Sequence, residues 1–75
     1  MKGWRVLSNG ESVARIPEIH HNHITLAAQE HYARRNVAWI GRRLLRMALR
    51  IEWSDDLDWR LPSLADLVEA RRGSR

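Results

Sequence analysis

The chain has 75 residues, 44% of them hydrophobic and 29% charged, and a net charge of +4, a composition that fits one small globular domain and excludes a disordered segment. The excess charge is arginine, twelve residues against one lysine, and there is no cysteine; disulfide staples and thiolate zinc sites are therefore excluded. Arginine forks onto phosphate or carboxylate and stacks on aromatic faces, so the charge balance points to an anionic partner.

A chain this short buries only a little over ~60% of the surface its unfolded form exposes, which makes a second copy a natural supplement to the core. Four Trp and one Tyr, with no Phe, supply most of the large contact area. Arg5, Glu11, Arg15 and Glu18 interrupt the N-terminal stretch, and the longest apolar run is Val37 to Ile40. Neither a secretory leader nor a membrane span is expected, and the protein reads as cytoplasmic.

Residues 1–16 read as a β-hairpin. Trp4–Leu7 and Val13–Ile16 are short apolar-rich runs on either side of Asn9-Gly10, a pair that tolerates the positive φ of a tight hairpin turn. A two-residue turn would pair Val6 with Val13. A three-residue turn would place Trp4, Val6, Ala14 and Ile16 on one face and set Arg5 against Arg15, at a small electrostatic cost. Residues 17–23 form a connector. Pro17 turns Ile16 away from helical geometry, and Asn22 or Thr25 offers a capping oxygen to the helix that follows.

Residues 24–52 predict one long helix. Leu26, Ala33, Val37, Ile40, Leu44, Met47 and Ile51 recur at helical spacing with heptad character, and an unbroken helix would reach about 42 Å. Gly41 weakens it by about 1 kcal/mol relative to alanine, and a bend or break near Asn36 or Gly41 is compatible with the pattern. The stripe is read as core seam in part and as homodimer seam in part. A second apolar set, Ala28, Tyr32, Trp39, Leu45, Leu49 and Trp53, demands a second covering. Residues 53–62 read as an acidic turn. Residues 63–72 read as a short helix, with Ser63 and Asp66 in capping-box positions, Leu64, Leu67 and Val68 on one face, and Gly73 at its end. The fold class expected is α+β: an N-terminal β-hairpin packed on one long central helix, followed by a short C-terminal helix.

The main candidate site is the arginine face of the long helix. Residues 24–51 hold six Arg and one Glu, and Arg35, Arg42, Arg43, Arg46 and Arg50 fall within about a 100° sector shared with Tyr32 and Trp39. Cationic forks interleaved with aromatic rings can neutralise phosphates and stack on bases. The competing reading pairs these arginines with Glu52, Asp55, Asp56 and Asp58, which follow directly. A helix-turn-helix over Tyr32–Leu44 lacks the turn that should free a recognition helix. The cluster His20, His21 and His23, with His31 further on, lacks the carboxylate spacing of a zinc site and reads as loop histidines, so no metal or cofactor is expected. Asp55, Asp56 and Asp58 read as a solvated turn, and no phosphate loop or nucleophile motif is present. The expectation is a non-catalytic basic module that binds nucleic acid. Two alternatives stand beside it: a small phage-type inhibitor or adaptor that blocks a host protein, with the arginines on an acidic protein surface, and a subunit of a larger assembly. Neither a small-molecule substrate nor a membrane is expected as a partner.

Overall fold

The computed structural model describes residues 1–20 and 24–73, and it is an α+β fold of a three-stranded antiparallel sheet, a central helix and a C-terminal helix. Strand β1 (Gly3–Ser8) and strand β2 (Glu11–Pro17) form the predicted hairpin. Asn9 and Gly10 both take positive φ, 50° and 82°, which is the left-handed geometry that lets a two-residue turn follow the twist of its strands. The turn sets Ser8 opposite Glu11 and Leu7 opposite Ser12. A bulge then makes Val13 the extra residue, and the register continues as Val6–Ala14, Arg5–Arg15 and Trp4–Ile16. Both readings of the hairpin therefore hold in part: the turn is the two-residue one, and the bulge restores the apolar face of Trp4, Val6, Ala14 and Ile16.

The long helix is shorter than its apolar period. Helix α1 spans Leu26–Ile40, with Thr25 Oγ1 accepting from the Ala28 N–H at 3.1 Å, and a π turn, Gly41–Leu45, completes it. The helix predicted over 24–52 thus stops at Leu45. Arg46 adopts the left-handed conformation at φ 54°, and the N–H groups of Arg46 and Met47 both bond back to the Gly41 carbonyl. This is the kind of closure that usually places glycine at the left-handed position. The π turn carries one residue more than an α turn, and it changes which leucine faces inward. Leu45 is 8% exposed, whereas Leu44, the residue in phase with Val37, is 38% exposed.

Beyond the helix the chain returns as strand β3 (Arg50–Ser54), which pairs with β1 in the order β2-β1-β3. Sequence reasoning absorbed this strand into the helix because Ile51 also fits a helical period. The alternation that marks a strand is present in Arg50-Ile51-Glu52-Trp53-Ser54 but is short. Pairing Arg5 with Glu52 brings the Arg5 guanidinium onto the Glu52 carboxylate, which offsets the like charge that Arg15 presents from the other side.

The core lies between sheet and helix. Trp4, Val6 and Ala14 come from the sheet, Ala33, Val37 and Leu45 from the helical rod, and Leu49 from the returning chain. Of the predicted seam, Ala33 and Val37 are buried, and Ile40, Met47 and Ile51 are half-buried against the core. Leu26 and Leu44 are exposed, and Met47 and Ile51 are not helical. The stripe is therefore not one continuous helical seam. The segment after β3 crosses the end of the sheet: the Leu57 N–H bonds to the Met1 carbonyl, and the Arg15 N–H on the outer edge of β2 bonds to the Pro62 carbonyl at 2.8 Å. Helix α2 (Leu64–Gly73) begins there, with Ser63 Oγ accepting from the Asp66 N–H. Leu64, Leu67 and Val68 pack against the core. No helix among the described residues is long and apolar enough to cross a membrane.

Candidate functional site

The flank of α1 next to β2 forms one wall of an open groove of about 890 Å³. Tyr32, Arg35, Trp39 and Arg42 line it from the helix. Their spacing of three, four and three residues keeps them along one side of the rod. Arg15, Ile16 and Pro17 of β2 form the opposite wall, joined by Ser63 and Leu64 at the start of α2. Tyr32 and Trp39 are 67% and 50% exposed, so their ring faces are open to a ligand.

The connector reaches the groove through Gln29. Its side chain is buried, its Oε1 accepts from the Ile19 N–H at 2.8 Å, and its Nε2 donates to the carbonyls of Ile19 and Ile24. A buried amide with both ends satisfied makes a rigid clasp, and here it holds the exposed side chains of Ile19 and Ile24 beside the groove. We expect Gln29→Leu to cost about 1–3 kcal/mol, because it removes these bonds and leaves groups near the helix without partners. Urea unfolding reads the loss, and amide exchange at Ile19 should accelerate. Unchanged exchange at Ile19 would show that the clasp does not order the connector.

The charge in the groove is cationic. Among the described residues its lining contains Arg15, Arg35 and Arg42 and no carboxylate. Among the described residues, none of these arginines lies within salt-bridge distance of an acid; three of the four carboxylates that could have neutralised them are engaged locally. Glu52 bonds Arg5, Asp55 accepts from Trp53 Nε1, and Asp58 accepts from the backbone and side chain of Arg60. The Arg60 side-chain bond is the main reason the Asp58 carboxyl sits below its ordinary range. Glu30 pairs with Arg34, on a different flank of α1. Trp4 also lines the groove, and its buried Nε1–H has no acceptor among the described residues.

Only part of the predicted arginine face comes together. Arg35 and Arg42 join Tyr32 and Trp39 in the groove, whereas Arg43, Arg46 and Arg50 do not line it. Arg43 is exposed on the π turn. Arg46 stands at the left-handed residue that ends the rod. Arg50 begins β3 and lines a smaller hollow of about 390 Å³ with Arg34 and Glu52. The expectation that five arginines share one helix face is corrected, because the rod ends before two of them. Sequence reasoning missed Arg15, whose neighbour across the groove is set by tertiary packing, and Gln29. The one signal for Gln29 was its position, four residues before Ala33 on the buried side of the helix.

Among the described residues, no group of three or more His, Asp or Glu could hold a metal ion. His20 lies 3.6 Å from Glu18, and His21 and His23 lie outside the described residues. The groove is equipped to bind an anion together with flat or apolar groups. No known protein family, curated protein or solved structure matches the chain.

Proposed function

We propose that this protein is a non-catalytic nucleic-acid-binding module that uses the groove between α1 and β2. The supporting observation is the lining itself: three arginines, with no carboxylate lining the groove among the described residues, beside two exposed aromatic rings. Guanidinium groups meet phosphates and the rings meet bases, a division of labour that gives affinity with little sequence selection. Anisotropy titrations against generic DNA and RNA strands and duplex, from about 50 to about 200 mM salt, test it. Three phosphate contacts imply a log–log salt slope of about −2 for a single strand and about −3 for a duplex. Arg35→Ala and Arg42→Ala should each reduce that slope by about 1, and Arg35→Glu with Arg42→Glu should abolish binding. Binding that ignores salt or survives the double reversal would refute the proposal.

A second reading rests on Ile19 and Ile24, which are exposed at the groove beside Tyr32 and Trp39. Trp, Tyr and Arg are also the residues that anchor protein interfaces. A small inhibitor or adaptor docking on a protein would show affinity that tolerates salt and falls when Ile24 or Trp39 is truncated.

A further inference from the structure

We infer that the groove takes a single polynucleotide strand with its bases unstacked, in preference to a duplex. The inference rests on the nucleic-acid reading above and narrows it to one class of ligand. The groove residues of α1 and its π turn form a repeating row, Tyr32, Arg35, Trp39, Arg42, in which each ring is followed three residues later by a guanidinium. The two rings are seven residues apart, two helical turns, which places them about 10 Å apart along the axis. In duplex DNA the bases succeed one another at about 3.4 Å and cover each other's faces, and a protein reaches only their edges. Neither ring can stack on a paired base unless the duplex is first unstacked, at a cost of a few kcal/mol per step. Both can stack on bases splayed from a single strand, as aromatic platforms do wherever a backbone is held in a cationic groove.

The surroundings of α1 point the same way. A recognition helix must stand clear of its own protein, because a helix with side chains is about 10–12 Å across and the major groove is about 12 Å wide. Here one side of α1 is buried against the sheet through Ala33 and Val37. The flank that carries Tyr32 and Trp39 faces β2 and the start of α2 across the groove. A duplex that reached the arginines would meet those walls before its bases met the rings. A single strand avoids the collision, since it can run lengthwise between Arg15 on one wall and Arg35 and Arg42 on the other.

The groove floor supplies what such a strand would use. Asn36 is exposed in the lining and carries an amide that can meet a base edge. A row of two rings and three cations suits about four nucleotides, the low end for a small single-strand-binding domain. DNA and RNA share this chemistry, so both sources belong in the test.

The experiment measures binding of labelled oligo-dT and oligo-U of about a dozen nucleotides and of a mixed-sequence duplex of equal length, by anisotropy and by intrinsic tryptophan fluorescence at one salt concentration. At least one single strand should bind about tenfold or more tightly than the duplex and quench tryptophan emission. Tyr32→Ala and Trp39→Ala should each weaken strand binding about tenfold, the usual worth of one stacked base, with duplex binding unchanged. Trp39→Phe should restore most of the affinity while losing most of the quenching, an outcome that a merely structural role for Trp39 would not produce. Both rings are exposed, and circular dichroism of each variant confirms that the fold survives. Equal or tighter duplex binding, or alanine variants without effect while the arginine reversal abolishes binding, overturns this inference and leaves the nucleic-acid reading standing. No binding to any of the three probes overturns both.

Discussion

Trp4→Ala should leave the protein at the edge of unfolding at room temperature. Trp4 is 1% exposed and is among the largest fully buried side chains. It sits in the central strand of the sheet, opposite Ile16 on one side and Trp53 on the other. It meets Trp53 edge-to-face, with ring centroids 5.1 Å apart. Truncating a buried tryptophan costs about 3–5 kcal/mol, because the cavity cannot close. A domain of this size has about 4–11 kcal/mol of stability in total, at about 0.05–0.15 kcal/mol per residue. The variant should therefore unfold at low urea or be partly unfolded without it. Trp4→Phe should cost clearly less. It loses ring volume, but it also removes the indole N–H that is buried without an acceptor among the described residues, a group whose desolvation is worth about 1–3 kcal/mol. Urea titration followed by far-ultraviolet circular dichroism gives both values. A Trp4→Ala loss below about 1 kcal/mol would contradict this placement of the core.

Gly41→Ala is the second, and the sign of its effect is the test. Helix propensity alone favours alanine over glycine by about 0.8–1.0 kcal/mol, and a reading of residues 24–52 as one helix predicts that gain. The structure predicts a loss. A Cβ at Gly41 would stand 2.5 Å from the Met47 carbonyl oxygen and 3.2 Å from Leu49 Cγ. The nearer of these is backbone, held by the Met47 N–H bond to the Gly41 carbonyl at 2.8 Å, so it cannot simply rotate away. Overpacking of this kind costs about 1–3 kcal/mol, which outweighs the propensity gain and leaves a net loss of about 1 kcal/mol. That corresponds to a fall of about 4–8 °C in Tm for a domain this small. A rise in Tm would mean that the chain does not fold back across the helix at this point, and with it would go the route from α1 to β3.

The features legible in the sequence share a local cause. Asn9-Gly10 marks the turn because only a few residues accept its φ values. Thr25 and Ser63 mark helix starts because their oxygens reach an N–H three residues on. The row of Tyr32, Arg35, Trp39 and Arg42 could be read as one side of a rod because side-chain direction along a helix follows from its period. Half of the candidate site was therefore visible in advance, and it is the half that one element carries.

The rest required chain segments far apart in sequence to meet. The end of the rod is the sharpest case. Nothing local stops a helix at Leu45, since Leu44 to Leu49 holds no glycine or proline and Arg46 takes a conformation in which arginine is uncommon. The stop is enforced by the returning chain, which packs Met47 and Leu49 against Gly41, and by β3, which pairs with β1 instead of continuing as helix. Ile51 satisfies a helical period and a strand alternation equally well, and pairing with Val6 decides between them. That decision removes Arg46 and Arg50 from the arginine face. The same return path lays Pro62 and Ser63 along the edge of β2 and completes the wall that faces Trp39. Local stereochemistry therefore set the turn, the caps and the chemical face of α1, whereas the length of that helix and the second wall of its groove came from long-range packing and strand pairing, whose energies no short window of residues contains.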